Sequence, residues 1–360
     1  METANFSVPA AMFAAVYRGN SSIGIEEVPV PEIGPGELLV RVEACGICHT
    51  DLKKVEHNLL PPPRIFGHET AGVVAKTGGG TEFKVGDRVI AFHHVPCGEC
   101  FYCERKLYAQ CSVYKKVGVT AGFEPAGGGF SQYVRVMDWI VKRGVEKFGC
   151  EVPFTRACLV EPVNTCHKAV ALLAPQPEET ALILGQGPIG LVFTMLLRRT
   201  GARVLATDTI RRRLDLALRF GAGEAWDPRL TGVEREVKKR TGGRGADLVI
   251  VAASVPGIVE QAVRSSRPGG RILLFAQTSH QERVELSGAD ICVGERTLLG
   301  CYSASVDLQR ESARLVFGGE LPVEDLVSHR LPLDQISSGI ELALHPDEQS
   351  LKIVVEPQAR

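Results

Sequence analysis

Apolar and polar positions change their rhythm part-way along this chain. From about Met12 to Val95 the apolar residues come in short alternating stretches, such as Leu38–Val42 and Gly72–Ala75, broken by Gly, Pro and acidic turns. A period of two predicts half-buried strands. Pro29–Gly36 reads as a turn cluster, and Phe130–Val136, which follows three glycines, predicts one more strand. Near Thr165 the pattern becomes one of helix-like stretches alternating with short Val/Ile/Leu runs, at Ala181–Leu184, Arg203–Thr207, Leu248–Ala252 and Arg271–Phe275. Strand–helix alternation of this kind predicts a parallel sheet covered by helices on both faces. After Cys301 the order is less regular, with Leu351–Val355 as a last strand candidate. Neither an internal repeat nor a low-complexity linker is visible.

A chain of 360 residues exceeds one ordinary core, so two domains are expected. Its composition, 44% hydrophobic and 23% charged, is that of a globular protein. A formal net charge of -1 gives no reason to expect a nucleic-acid or membrane-surface partner. No apolar run reaches the ~20 residues of a membrane span. The N-terminal stretch lacks the basic start and apolar core of a signal peptide, so a cytoplasmic protein is the expectation. Eleven cysteines are then not disulfide partners, since the count is odd and the context reducing.

Four of the cysteines fall within fifteen residues, as Cys97-x2-Cys100-x2-Cys103-x7-Cys111, in a segment with little apolar periodicity that reads as a loop. Four thiolates close the tetrahedral shell of a structural zinc and leave no open position. An iron–sulfur cluster and unrelated free thiols are the rival readings. A closed site binds no substrate, so any chemistry lies elsewhere. Three further fragments offer ligands: Cys48-His49-Thr50-Asp51, Gly67-His68-Glu69 and Glu161-Pro162. A catalytic zinc needs three protein ligands and a vacancy. Each fragment alone is weak, and Glu161 beside a proline also reads as the end of a helix.

The run Ala181–Leu184 leads into Gly185-Gln186-Gly187-Pro188-Ile189-Gly190, then into a helical Leu191–Arg199 and a second strand ending at Asp208. In that context Gly185, Gly187 and Gly190, with Pro188 and Ile189 between them, form a dinucleotide turn. Its pyrophosphate would sit on the helix N-terminus. Asp208, ~20 residues on, is placed to bond the adenosine ribose. Its charge disfavours a 2′-phosphate, although Arg211, Arg212 and Arg213 pull the other way; NAD is the favoured cofactor.

Ala44-Cys45-Gly46-Ile47-Cys48-His49-Thr50-Asp51, Gly67-His68-Glu69-Thr70-Ala71-Gly72, the four-cysteine loop and the glycine turn occur in one order over essentially the whole chain. That order resembles the zinc-containing medium-chain dehydrogenase superfamily, which includes alcohol, sorbitol and threonine dehydrogenases. The resemblance implies a GroES-like, strand-rich catalytic domain (residues 1–163 and 302–360) and a Rossmann doubly wound domain (residues 164–301), an α/β protein overall. It implies two Zn²⁺ per chain, one structural on Cys97, Cys100, Cys103 and Cys111, and one catalytic on Cys48, His68, Glu69 and Glu161. Cys45 is then a spare thiol. Leu159-Val160-Glu161-Pro162-Val163 is similar to the sorbitol and threonine dehydrogenase branch, since simple alcohol dehydrogenases carry a cysteine at that point.

The same resemblance implies Thr50 as the proton relay and Arg213 near the adenosine ribose. Where many relatives continue the relay with a histidine, this chain has Lys53; Lys53, His49, His57 and water are the open candidates for that step. The implied activity is NAD-linked interconversion of a secondary alcohol and a ketone. A polyol or sugar alcohol is favoured, with a threonine-like hydroxy acid or another secondary alcohol as alternatives. A relative that keeps the fold but works as an NADPH reductase or structural protein is the rival of a different class. A homodimer or homotetramer is expected by analogy alone.

Overall fold

The computed structural model describes residues 7–92, 95–116, 127–276 and 283–359. Residues 1–6 of the N-terminal stretch, on which part of the signal-peptide argument rests, lie outside them. The chain forms two compact units, residues 1–164 with 304–360, and residues 165–303.

In the first unit the alternating stretches are strands of a seven-stranded sheet. Along the main path its order is Val327–Pro332, Lys352–Glu356, Leu38–Gly46, Glu69–Thr77, Arg88–Ala91 and Val145–Lys147, and Tyr133–Val136 also pairs with Leu38–Gly46. Its pairings are antiparallel except for the two C-terminal strands, which run parallel. Leu38, Val40, Val42, Val74, Val89, Val134, Ile353 and Val355 make one side of its core, but Leu39, Ala75 and Tyr133 are buried with Met12 in a second cluster, so the central strands are buried on both faces and not half-buried as the alternation predicts. A smaller sheet joins Ser22–Pro29, Ala11–Gly19 and Arg64–Ile65. The last strand lies antiparallel to Leu38–Gly46, with Val354 opposite Gly46 and Val355 opposite Cys45. This pairing brings residues about three hundred positions apart in sequence into one layer.

In the second unit six parallel strands stand in the order Glu224–Trp226, Arg203–Thr207, Thr180–Leu184, Ala246–Val251, Ser266–Leu274 and Thr297–Gly300. Numbered along the chain within this unit, that is 3-2-1-4-5-6, the doubly wound order whose switch point flanks the first strand. Thr180–Leu184 is buried throughout, as both-face coverage requires. Helices Pro188–Arg199, Arg211–Arg219, Val233–Arg240 and Ile258–Ser265 supply the crossovers.

Two local expectations need correction. Glu161-Pro162 opens a helix, Val160–Leu173, instead of ending one; proline is tolerated in a first turn because its missing N–H has no intrahelical acceptor there. The cysteine segment is not plain loop. It winds through the short helical turns Phe101–Glu104 and Tyr108–Gln110, which fold its backbone back on itself.

Candidate active site and metal centres

The turns of the cysteine segment bring four sulfurs into one cluster. Cys97 Sγ lies 3.8 Å from Cys103 Sγ and 3.6 Å from Cys111 Sγ, and Cys100 Sγ lies 3.5 Å from Cys103 Sγ. A tetrahedron with ~2.3 Å zinc–sulfur bonds has edges of roughly 3.8 Å, so the donor set fits that ion. The thiols cannot all ionise unaided. Burial pushes Cys103 up to about 12. Cys111, also opposed by burial, is drawn down to about 6 by hydrogen bonds from the backbone of Cys97, Tyr114 and Val113. A divalent cation supplies the charge compensation that four neighbouring thiolates need.

Cys48, His68 and Glu69 form a second cluster, with one ligand atom from each all within 4.8 Å of one another. Two neighbouring strand ends and a helix start assemble it. Cys48 is the N-cap of helix His49–Glu56. His68 and Glu69 stand at the entry of strand Glu69–Thr77, which pairs with Leu38–Gly46 so that Glu69 faces Gly46. His68 Nδ1 lies 3.0 Å from the Asp51 carboxylate, which fixes the ring and leaves the other nitrogen for a ligand role. Burial disfavours a charged imidazole here, yet Asp51 and Cys48 together hold the His68 pKa well above its usual value. Both Glu69 carboxylate oxygens are buried against one cation, Oε1 accepting from Lys352 Nζ and Oε2 lying 2.5 Å from the same ammonium. A cysteine sulfur, an imidazole and a carboxylate converging at that distance are a donor set that fits a zinc ion.

Glu161 lies outside that three-atom set but near it. Burial raises its carboxyl to about 7, opposed by His68 and reinforced by Glu69. Thr50, half-buried, sits in the first turn of the Cys48-capped helix, and Lys53 is half-buried one turn on; His49 and His57 are exposed. Cys45 is buried, its sulfur 3.8 Å from Thr70 Oγ1, and burial pushes its thiol well up, as befits a non-ligand. Two groups with no role in the sequence reading belong to this cluster. Asp51 was visible in the motif, without an assigned partner. Lys352 was not visible at all: its ammonium is buried, 2.5 Å from Glu69 and 3.0 Å from the carbonyl of Ile47.

In the second unit the glycine turn joins the first strand to helix Pro188–Arg199. Gly187 is the N-cap and Pro188 follows it. Gly185 has φ +98°, and a Cβ on Gly190 would lie 2.0 Å from the Gly185 carbonyl oxygen, so strand and helix meet only because both side chains are absent. A Cβ on Gly187 would meet nothing within 4 Å, which leaves backbone free to approach a ligand. Asp208 is buried at the end of the second strand. Its Oδ2 accepts from Gln186 N at 2.6 Å, tying it to the turn, and Oδ1 accepts from Ile210 N at 2.9 Å. Arg213 lies 3.9 Å from Asp208 and is largely buried, whereas Arg211 is 83% exposed and pairs with Asp215.

A doubly wound nucleotide sheet joined to a strand-rich unit with a four-sulfur and a Cys–His–Glu cluster defines a zinc-binding dehydrogenase. Comparison with known proteins agrees. Residues 34–144 match the alcohol dehydrogenase GroES-like domain and residues 188–317 the zinc-binding dehydrogenase family. Sorbitol dehydrogenase of Bacillus subtilis (strain 168) is 30% identical, covering 98% of this chain and 99% of the relative. L-threonine 3-dehydrogenase of Symbiobacterium thermophilum is 32% identical, covering 93% and 95%. A crystal structure from Sinorhizobium meliloti 1021, provisionally described as a zinc-binding dehydrogenase and bound to NADP, superposes with a TM-score of 0.88 at 28% identity, covering 97% and 100%. The chain belongs to the zinc-containing medium-chain dehydrogenases, in the branch of the polyol and threonine enzymes. It is a zinc-dependent alcohol dehydrogenase that uses a nicotinamide cofactor. Among the described residues no helix is long and apolar enough to cross a membrane.

Proposed function

We propose that this enzyme interconverts a secondary alcohol and a ketone with NAD, and that its substrate is a polyol or sugar alcohol. The observation that carries the reading is the convergence of Cys48, His68 and Glu69 in one largely buried cluster apart from the four-sulfur site. Three donors, unlike four thiolates, leave a tetrahedral position open to a substrate oxygen. Zinc bound there supplies Lewis acidity that lowers the pKa of a substrate hydroxyl toward neutrality.

The chain's own residues do the rest. Asp51 holds the His68 ring in the orientation of a ligand. Thr50, two residues after Cys48, accepts the substrate hydroxyl proton as its own hydroxyl gives one up, with neutral Lys53, His49, His57 or water as the base that receives it. Glu161, close to His68 and Glu69, would be the further carboxylate able to complete the shell of a bound ion where water does not. Gly185, Gly187, Pro188, Ile189 and Gly190 cradle the pyrophosphate. Asp208 accepts from the adenosine ribose hydroxyls, with Arg213 beside it. Cys97, Cys100, Cys103 and Cys111 hold the structural ion. The GroES-like unit is taken as the catalytic domain and the doubly wound unit as the nucleotide domain.

Glu161 supports the polyol assignment, as the carboxylate that marks the sorbitol and threonine branch. The relative named L-threonine 3-dehydrogenase supports a second reading, a β-hydroxy acid substrate. The test is a panel of polyols, simple secondary alcohols and threonine, each offered with NAD while absorbance of the reduced cofactor is followed. Highest kcat/KM on a polyol supports the first reading; threonine on top replaces it with the second; no oxidation of any alcohol refutes both. We further propose a cytoplasmic homodimer or homotetramer, to be checked by light scattering of the purified protein.

A further inference from the structure

Gln186 stands between the first two glycines of the dinucleotide turn, yet its side chain faces inward. The residue is fully buried, so a ligand lying on the turn does not reach its amide. Its backbone N donates to Asp208 Oδ2 at 2.6 Å. Its Oε1 accepts from Thr194 Oγ1 at 2.9 Å, in the second turn of helix Pro188–Arg199. Thr194 is also fully buried, and it shares its one hydroxyl hydrogen with the Gly190 carbonyl at 3.1 Å. A single residue therefore ties the carboxylate at the end of the second strand to the helix that the turn opens.

For stability alone the glutamine is a poor choice. Its Nε2 has no hydrogen-bond partner among the described residues and lies beside Gly190, 3.5 Å from where a Cβ would stand. A donor left unpaired in the interior costs free energy that an apolar side chain of the same length avoids. What sets the amide apart from methionine is the bond that its other end makes to Thr194.

Resting on the reading of the glycine turn as the pyrophosphate site, we propose that Gln186 is a positioning residue for the dinucleotide. With Thr194 it forms an internal strap that holds the start of the helix in register with Asp208. The two places that receive the diphosphate and the ribose of one molecule are thereby kept at a fixed spacing before it binds. Without the strap each half of the site survives and their register loosens. A ligand that spans both halves then loses affinity, whereas one confined to the ribose half does not.

The test measures dissociation constants of ADP, which spans both halves, and of adenosine, which reaches only the ribose half. It uses full-length, zinc-loaded wild type, Gln186→Met, Thr194→Val and Thr194→Ser. In Gln186→Met and Thr194→Val, ADP is expected to bind about tenfold more weakly, with adenosine within about twofold of wild type. Thr194→Ser keeps the hydroxyl and is expected to match wild type for both ligands. The Tm of Gln186→Met is expected to equal or exceed that of wild type, because the unpaired amide is gone. Equal weakening of ADP and adenosine reduces the strap to a stabilising contact and overturns the proposal. Unchanged ADP binding overturns it too, as does a Gln186→Met chain that melts well below wild type or does not fold. Wild type that binds neither ADP nor NAD refutes the dinucleotide reading itself, which is a separate result.

Discussion

Asp208 offers a quantitative check on the cofactor assignment, made pointed by a structural neighbour bound to NADP. Its two oxygens already accept from Gln186 N and Ile210 N, at 2.6 and 2.9 Å, so the carboxylate is held in place before any ribose arrives. Each hydrogen bond from a ribose hydroxyl to a charged acceptor contributes roughly 1.5–3 kcal/mol. Weakening them in Asp208→Asn should raise the KM for NAD by about 30- to 100-fold. The substitution also removes a negative charge from the place a 2′-phosphate would occupy and releases Arg213, now 3.9 Å from Asp208. Together these effects lower the NAD-to-NADP ratio of kcat/KM by about a hundredfold or more. The asparagine turns an amide N–H toward one backbone donor, so some loss of stability is expected, about 1–3 kcal/mol. Steady-state kinetics with both cofactors separate that general loss from the specific one. If KM rises equally for NAD and NADP, Asp208 is structural only. If wild type favours NADP, the ribose argument is wrong from the start.

Gly190→Ala forces a methyl to within 2.0 Å of the Gly185 carbonyl; NAD affinity, read by titration calorimetry, should fall about a hundredfold or more as strand and helix separate. Thr50→Val should reduce kcat by roughly 10²- to 10⁴-fold with zinc content unchanged, while Thr50→Ser stays near wild type; full activity of the valine variant removes the relay. Cys103→Ser should open the structural cluster, so that trypsin cuts at Arg105 or the 78% exposed Lys106 and Tm falls by about 5 °C or more, with NAD binding retained. A loop that resists trypsin as before contradicts a structural metal there.

Much of the architecture was legible because its signals are local. Alternation marked the Leu38–Gly46 and Glu69–Thr77 strands, and short buried runs marked the parallel sheet, whose crossover helices follow from the same spacing. The four cysteines and the glycine turn carried their chemistry in their spacing. Lys352 carried none, for a physical reason. A lone lysine opening a strand reads as a solvated terminus, and its burial arises only when that strand pairs with one about three hundred residues earlier. Asp51 was hidden differently. Two residues inside a recognised motif, it looked like a turn acid until the fold set it 3.0 Å from His68. Glu161-Pro162 was ambiguous because proline marks either side of a helix boundary, and only the structure shows which side it takes.

The central claim is that Cys48, His68 and Glu69 hold a zinc ion distinct from the one in the cysteine cluster. The most direct measurement is the zinc content of purified wild type and Cys48→Ser by mass spectrometry, with NAD binding measured on the same samples. About two zinc ions per chain in wild type, falling to about one in the variant while NAD still binds, is the predicted result. Equal zinc in both proteins, or a single ion in wild type, contradicts it.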